Sequence, residues 1–494
     1  MSANHSNRLW AQSPLEEIVV HTLGGDWGKD VENVIANYEL ARVVRGTDFK
    51  TWSEEKGAGA AKRKIKKTSI EKRRLAAGDL VVEISGGGPT QPVGRTVLID
   101  EAALADCSLP LICSNFFRQV RLNKEVEARF VNFFLQYSHQ QGAFNDLQTE
   151  TTNLRNLNFN RFLAETIIPL PPLDEQRRIV AKLEELFKRA DACRKRLDQI
   201  PRLLKQFRQS VLNSAISGRL TADWREQNPE IEPAKIILKA IAPGAALLLA
   251  GGLPSTWVRC KLSDLSELIT KGASPKWQGV SYSDEGVLFV TSENVGWGEM
   301  LLSEKKYVEF QFNTIQKRSI LKRGDLLTNI VGASIGRSAV FESDEVANIN
   351  QAVAVIRLYE PINSQYIKAV LNSPALVSHM HGEKVDVARA NLSLKDVGDF
   401  PISLPPLAEQ NEIACRVKAL FKVADAVEDH YRKAHEQLDK LPQSILAKAF
   451  RGELVPQDPN DEPASAVLDR IREDRLTELR MISGNAPRRR STAR

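Results

Sequence analysis

The sequence predicts an α+β fold in which two mixed α/β domains are separated by two long helices, with a pseudo-twofold internal repeat. Three observations predict it: a gapless duplication, a helical period of apolar residues inside each copy, and a sparse common skeleton in the segments that precede the copies. From Leu170 to Leu220 the chain aligns without a gap to Leu404 to Leu454, an offset of 404 − 170 = 234, and 20 of the 51 positions are identical. Both copies open with Leu-Pro-Pro-Leu-x-Glu-Gln, share Leu-Phe-Lys-x-Ala-Asp-Ala from Leu186 and Leu420, and close on Gly218 and Gly452. The preceding segments are far less alike. A common frame therefore carries two different payloads, which suits a molecule that recognises two different things at a fixed separation.

Each copy reads as a long helix because its apolar residues recur with a helical period. In the second copy Val417, Leu420, Ala424, Val427, Tyr431, Ala434, Leu438, Leu441 and Ile445 step alternately by three and four, which is a heptad seam. The first copy is looser, with Leu183, Phe187, Ala190, Leu197, Leu204 and Val211 on the stripe and Arg194 breaking it. The natural partner for such a seam is the other copy; packing on a neighbouring globular domain is the alternative. Each Pro-Pro pair precedes its helix, where a missing N–H costs nothing, and each glycine falls where a C-terminal cap is expected. Pro201 and Pro442 lie inside the periodic stretches and predict a kink or break at each. After the long helices, Glu232-Pro-Ala-x-x-x-Leu238 returns as Glu462-Pro-Ala-x-x-x-Leu468, so a short helix follows each long one.

The payload segments share a skeleton. Gly78-Asp79-Leu80 matches Gly324-Asp325-Leu326, and each is followed by a β-branched run, a glycine-rich loop and Gly-Arg (Gly94-Arg95, Gly336-Arg337). Strand, loop, strand is the simplest reading. The loops differ, Ser85-Gly-Gly-Gly-Pro-Thr-Gln-Pro in one and Val331-Gly-Ala-Ser-Ile in the other, as two readers of different sequences would; a plain hairpin turn explains the glycines equally well.

With 494 residues, 42% hydrophobic and 26% charged, the chain can build several cores and is neither fibrous nor disordered. Its amino terminus has no apolar signal core, and the longest greasy run, Ala245 to Ala250, is far shorter than the roughly 20 residues that span a bilayer. The flanking prolines and glycines make that run a linker. Five cysteines show no zinc spacing and suit reduced thiols, so a cytoplasmic location is expected. His379 and His381 have no ligand cluster to complete a metal site.

Net charge is +6, and its distribution says more than its size. Between Lys62 and Arg74 there are eight basic residues against one acid, Glu71, and the matching segment of the second half carries Lys305, Lys306, Lys317, Arg318, Lys322 and Arg323. Such strips suit a polyanion, because phosphate contacts supply most non-specific affinity for DNA; a solvated loop is the bland alternative. Catalytic machinery is missing. Gly24 to Asp30 (GGDWGKD) is one residue too tight for a phosphate loop and has Asp30 where Ser or Thr must hold magnesium. Asp79 and Glu83 have the spacing of a nuclease carboxylate pair, but Ser85 stands in the place of its lysine. Both Pro-Pro pairs are followed by leucine, unlike the Pro-Pro-aromatic loop of adenine methyltransferases. A binding subunit with its chemistry on other chains is expected.

The doubled Leu-Pro-Pro-Leu-x-Glu-Gln helix, the Gly-Asp-Leu and Gly-Arg loops, Ile349-Asn350-Gln351 and the Leu253-Pro254-x-x-Trp257 start of the second half together resemble the specificity subunit of type I restriction-modification systems. The resemblance covers most of the chain, and its specificity lies in the order and duplication of motifs that are weak singly. It implies target-recognition domains at residues 1–168 and 253–402, helical regions at 169–252 (with a linker) and 403–480 that pack as an antiparallel coiled coil, and a basic tail at 481–494. Each recognition domain would read one half of an asymmetric, split DNA site. Two modification subunits would dock on the helices and methylate adenine N6 with S-adenosylmethionine. A restriction subunit would add ATP- and magnesium-dependent cleavage, leaving this chain with no catalytic residue, cofactor or metal and no membrane partner. The chain departs from the pattern at its start, where Ser13-Pro14-Leu15 replaces Leu-Pro-x-x-Trp.

The residues expected at DNA are Lys62, Arg63, Lys64, Lys66 and Lys67 on the strip, Gly87, Gln91 and Arg95 around the first loop, and Lys276, Asn329, Ser334, Arg337, Asn350 and Gln351 in the second half. Those expected in the helical frame and its subunit docking are Leu173, Glu175, Gln176 and Phe187, with Leu407, Glu409, Gln410 and Phe421. A specificity chain of a type IIB-like system, a self-sufficient nuclease and a non-enzymatic coiled-coil scaffold are the rival readings.

Overall fold

The structure is a computed structural model that describes residues 9–33, 35–87, 91–105, 108–151, 154–248, 251–382 and 391–484. It divides into two compact units: residues 1–195 with 435–494, and residues 196–434. The division cuts both long helices and leaves residues 9–168 in one unit and 253–402 in the other.

In unit 1 the domain opens on β1 (Ala11–Pro14) and closes on β12 (Ile167–Leu170), which pair antiparallel with Ala11 opposite Leu170. Between them lie β2 (Val19–Gly24), β3 (Tyr38–Val44), β4 (Ala61–Lys66) and β5 (Leu80–Glu83). There follow β6 (Ser85–Gly87), β7 (Thr96–Leu98), β8 (Leu111–Cys113) and β9 (Phe117–Leu122). A hairpin of β10 (Gln148–Thr151) and β11 (Leu154–Leu157) completes the set. One antiparallel sheet has the order β2-β9-β5-β7, and a second, β4-β3-β8, joins β3 to β8 in parallel. A third small sheet has the order β10-β11-β6.

Unit 2 repeats the plan. Its closing pair is β13 (Val258–Lys261) with β22 (Pro401–Leu404). Between these come β14 (Ser266–Lys271), β15 (Tyr282–Ser283), β16 (Val287–Val290), β17 (Tyr307–Val308) and β18 (Leu326–Asn329). The remainder are β19 (Ser338–Val340), β20 (Ala347–Ile349) and β21 (Val353–Leu358). The order β14-β21-β18-β19 matches β2-β9-β5-β7, and the parallel pair β16 and β20 matches β3 and β8. β17 and β4 then hold the same place, so the lysines before β17 and the basic strip on β4 are topologically equivalent.

The long helices behave differently at their two prolines. The first copy breaks into Leu173–Leu197 and Ile200–Ile216, with Pro201 in the first turn of the second piece. Pro tolerates that position because the first turn's N–H groups have no intrahelical acceptor. Pro442 lies inside an unbroken helix, Leu407–Phe450, so the expected break is absent there. Both glycine caps are present: Gly218 and Gly452 adopt φ of 76° and 72°. Of the heptad seam, Val417, Ala424, Leu438 and Ile445 are buried whereas Val427 and Leu441 are exposed. Inside unit 1 Arg194 pairs with Asp439 and Arg178 with Asp461; inside unit 2 Arg208 pairs with Asp425 and Glu428, and Arg416 with Asp223. In every pair a later residue of one copy meets an earlier residue of the other, so the segments run antiparallel within each unit.

Each core recruits distant sequence. In unit 1 Leu80, Val120, Phe130, Ile179 and Leu183 pack with Ile445, Ala449, Val467, Leu468 and Ile471. In unit 2 Leu326, Ile356, Tyr366, Ile413 and Val417 pack with Val211, Ala215, Ala234 and Leu238. The short helices Ala464–Gly484 and Ala234–Ile241 therefore serve equivalent ends, although the first extends through residues 481–484, assigned by sequence to the tail. The remaining tail, including Arg488 to Arg490, lies outside the described residues. No described helix is long and apolar enough to cross a membrane.

Candidate nucleic-acid interface

The repeated Glu-Gln pair explains why the frame's opening motif recurs. Gln176 donates to the Pro171 carbonyl at 2.8 Å and accepts from the Glu127 N–H at 2.9 Å. Gln410 does the same with Pro405 at 3.0 Å and Asn363 at 3.0 Å. Each glutamine thus ties the start of a long helix to the start of a domain helix, Ala128–Gln140 or Ser364–Leu371. The glutamates receive tryptophans: the Trp10 indole N–H donates to Glu175 at 3.0 Å and the Trp257 indole N–H to Glu409 at 2.8 Å. The Leu9 carbonyl accepts from Ala464, as that of Thr256 accepts from Ala234. Trp10 is thus the counterpart of Trp257, which corrects the reading that Ser13-Pro14-Leu15 replaces the tryptophan start; the missing Leu-Pro hid it. Glu175, Gln176, Glu409 and Gln410 are all buried, so they build the frame from inside and offer no docking surface. Phe187 and Phe421 pack partly buried against the unit cores, while Leu173 and Leu407 begin the helices.

In unit 2, the carboxyl ends of β16, β18 and β20 and the amino end of β21 meet on one side. Asn329 donates to the Ser292 carbonyl at 2.8 Å, and Asn350 N–H donates to the Val290 carbonyl at 3.0 Å. Gly272, just after β14, lies so close to Ile349 that a Cβ would stand 1.8 Å from its carbonyl oxygen. The turn Gly332–Ser334 and Arg337 follow β18 on the same side. Asn329, Ser334, Arg337, Asn350 and Gln351 are therefore collected at one end of the sheets, and Lys276 lies on the loop that leaves this end after Gly272. They are not equivalent. Lys276 and Gln351 are exposed and Arg337 half-buried, without a side-chain partner among the described residues for Arg337. Asn329 is buried with its Oδ1 unpartnered, and Asn350 accepts from Ala352, so these two shape the backbone there.

The same end of unit 1 carries Gly25, whose added Cβ would stand 2.2 Å from the Cys113 carbonyl oxygen, as well as the loop from Ser85 to Arg95. Gly87 sits on β6 opposite Arg155. Residues 88–90 lie outside the described set. Arg95 is held by Glu83 in a bidentate pair at 2.7 and 2.6 Å, and the Gln91 side-chain amide faces the same guanidinium. Arg95 is therefore not the free phosphate or base ligand expected: its Nε and Nη2 already serve a buried carboxylate. Asp79 is bound to Arg121, so neither carboxylate of the nuclease-like spacing is available for metal. Among the described residues no group of three or more His, Cys, Asp or Glu side chains is arranged to hold a metal ion.

The basic strip lies on β4, an edge strand, with Ala61 opposite Val43 at the interface end and Lys66 opposite Tyr38 at the far end. Alternation puts Lys62, Lys64 and Lys66 on one face and Arg63 and the buried Ile65 on the other. Those three lysines have no side-chain partner among the described residues, whereas Lys67 approaches Glu39 at 3.7 Å. Arg63 is structural. It pairs with Asp30, donates to the Trp27 carbonyl at 3.0 Å and lies 4.4 Å over the Trp27 ring. The GGDWGKD segment thus runs beside β4, bridged by Lys29 and Lys64, and opens no helix as a phosphate loop would. A cavity of about 530 Å³ beside β7 is lined by Trp52, Lys56, Arg95, Arg129 and His139. Its three permanent cations are paired with Asp100, Glu83 and Glu184, and burial holds the His139 imidazole below its usual range.

Comparison with known proteins decides the family. Residues 45–202 and 254–434 match the type I restriction modification DNA specificity domain. The chain belongs to that family. The type I restriction enzyme EcoBI specificity subunit of Escherichia coli is 33% identical over 343 residues, covering 66% of this chain and 68% of that protein. The EcoKI specificity subunit of Escherichia coli strain K12 is 29% identical over 422 residues, 82% of each. In fold, the HsdS subunit from Thermoanaerobacter tengcongensis superposes with a TM-score of 0.59 at 20% identity, over 90% of this chain and 97% of that one. Sequence reasoning passed over two exposed tryptophans of unit 2, Trp277 (79% exposed) and Trp297 (55% exposed). Their signal was local: Trp297 lies directly between Gly296 and Gly298, and Trp277 between Gly272 and Gly279.

Proposed function

We propose that this chain is the DNA-recognition subunit of a type I restriction-modification complex. The observation that carries this reading is the duplicated build: one strand-end face occurs twice on a repeated frame, with unlike polar loops on an alike backbone. Each domain reads one half of an asymmetric site, and the sequence between the halves is spanned without being read. The alternating lysines of β4 supply sequence-independent phosphate contacts, and Lys276, Arg337 and Gln351 supply contacts that distinguish bases. Gly87, Gln91 and Asn350 set the loop backbones from which such contacts are made.

The helices form an antiparallel coiled coil that fixes the gap. Its ion pairs and the buried seam positions support that reading, while Leu203, Phe207, Val423 and Val427 leave an apolar helical surface in unit 2 for two modification subunits. Adenine methylation with S-adenosylmethionine, and cleavage with ATP and magnesium by a restriction subunit, belong to those partners. The chain itself is not an enzyme.

Replacing about residues 19 to 157 with the equivalent segment of a relative keeps Trp10, β1, β12 and the frame. The exchange is expected to change one half of the methylated site and leave the other half and the gap as they were. Sequencing of genomic adenine methylation reads this directly, and a change in both halves would sink the two-reader arrangement.

A further inference from the structure

Trp277 is the most exposed large apolar residue among those described, at 79%. It is also firmly mounted. Its backbone N–H donates to the Ser274 carbonyl at 3.1 Å, that of Gln278 to the Pro275 carbonyl at 2.9 Å and that of Val280 to the same Pro275 carbonyl at 3.0 Å. Gly272, pressed on the Ile349 carbonyl, anchors one end of the loop, and buried Val280 anchors the other. A loop backbone held this way has met most of its ordering cost before any partner arrives, and presents the indole from a fixed base.

The surroundings specify the partner. Lys271 and Lys276 are exposed on the same loop and strand end, Arg337 and Gln351 emerge from the neighbouring strands, and Glu293 at this end is neutralised by Lys306. A flat apolar plate among cations and an amide suits a polyanion that presents π faces and hydrogen-bonding edges, which is a nucleic acid. We propose that Trp277 stacks against a base step in the half-site read by the second domain, so that the ease of opening that step becomes part of sequence discrimination. The proposal rests on the DNA-recognition reading above and adds a residue and a mode of readout to it. Unit 1 differs: its loop after Gly25 also carries a tryptophan, Trp27, but Arg63 covers that ring.

The test uses the full chain with the methyltransferase subunits that co-purify with it, and a duplex carrying the site found by methylation sequencing. Trp277→Ala is expected to weaken binding about ten- to a hundred-fold. Its salt dependence should stay that of the parent, because stacking releases no counterions. Trp277→Phe should recover most of the affinity, and Tyr359→Ala, an exposed aromatic after β21 at the end of the β14–β21 pair away from Lys271, should bind as the parent. 2-Aminopurine placed along the second half-site should change emission at one step with the parent and at none with Trp277→Ala. Parent-like affinity and an unchanged 2-aminopurine pattern for Trp277→Ala would overturn the stacking role. Failure of the parent complex to bind any duplex overturns the DNA reading itself, and the two failures are told apart by that control.

Discussion

Glu175 and Glu409 stand at equivalent positions, each fully buried, yet they are satisfied unequally. Glu409 accepts from Trp257, Thr221 and Arg225, whereas among the described residues Glu175 accepts from Trp10 alone and leaves Oε2 without a partner. Burial lifts the Glu175 carboxyl above its usual range, against the pull of the Trp10 hydrogen bond. The native state therefore holds this proton at a pH where the unfolded chain has lost it. Its contribution is most favourable below the ordinary carboxylate range and is lost as pH rises through the raised native value. Glu175→Gln is expected to raise the melting temperature at pH 8 and to have little effect near pH 4. Glu409→Gln, which strips Arg225 of its buried counter-charge, should destabilise by about 3–5 kcal/mol at neutral pH. Thermal unfolding across pH checks both, and equal pH profiles for Glu175→Gln and the parent would refute the first. The Glu-Gln motif was legible in the sequence as a repeat, but its purpose was not, because the tryptophans that it receives lie about 150 residues away.

At the scale of strands and turns, Gly-Asp-Leu is a staple. Gly78 and Gly324 take φ of 90° and 94°, a region that disfavours side chains, and the following aspartates accept the N–H of the residue three earlier. Asp79 then grips Arg121 on β9, as Asp325 grips Arg357 on β21, each through two hydrogen bonds. The pairs differ in shelter and redundancy. Arg121 is 43% exposed and Asp79 keeps a further bond from Gln119, while Arg357 is 16% exposed and Asp325 has no such second side-chain donor among the described residues. Arg357→Ala should cost about 3 kcal/mol and Arg121→Ala about 1 kcal/mol, measured by denaturant unfolding; a reversed order would remove the burial argument. The strand, loop, strand skeleton was readable from local pattern. The parallel pairing of β3 with β8 and of β16 with β20 was not, since local alternation carries no information about which distant strand becomes the neighbour. Pro201 and Pro442 looked alike in sequence and part company because only the first falls in a helix's opening turn.

For the molecule as a whole, the compact units exchange sequence: the chain crosses from one to the other between Lys195 and Arg196 and again between Ala434 and His435. The duplication predicted two unlike readers on a common frame but not this exchange, in which residues 445–471 finish the first core, because a repeat reveals kinship between segments and not their packing partners. If the helices are a ruler, four residues added after Lys195 lengthen that crossing by about 6 Å, close to two base pairs. A single insertion leaves the second crossing short. A matching insertion after Ala434 restores equal lengths and keeps Arg194–Asp439 within unit 1 and Arg208–Asp425 within unit 2. The four residues also turn each helix about 40° past a full turn, a mismatch with the DNA that must be absorbed at some loss of affinity. The double insertion is therefore expected to fold as stably as the parent and to keep both half-site sequences. The gap between them should grow by one or two base pairs, and the single insertion should be less stable. Binding to a library of sites with gaps from about four to ten base pairs reads the outcome, and an active double insertion that retains the parent gap would mean that something other than helix length sets the spacing.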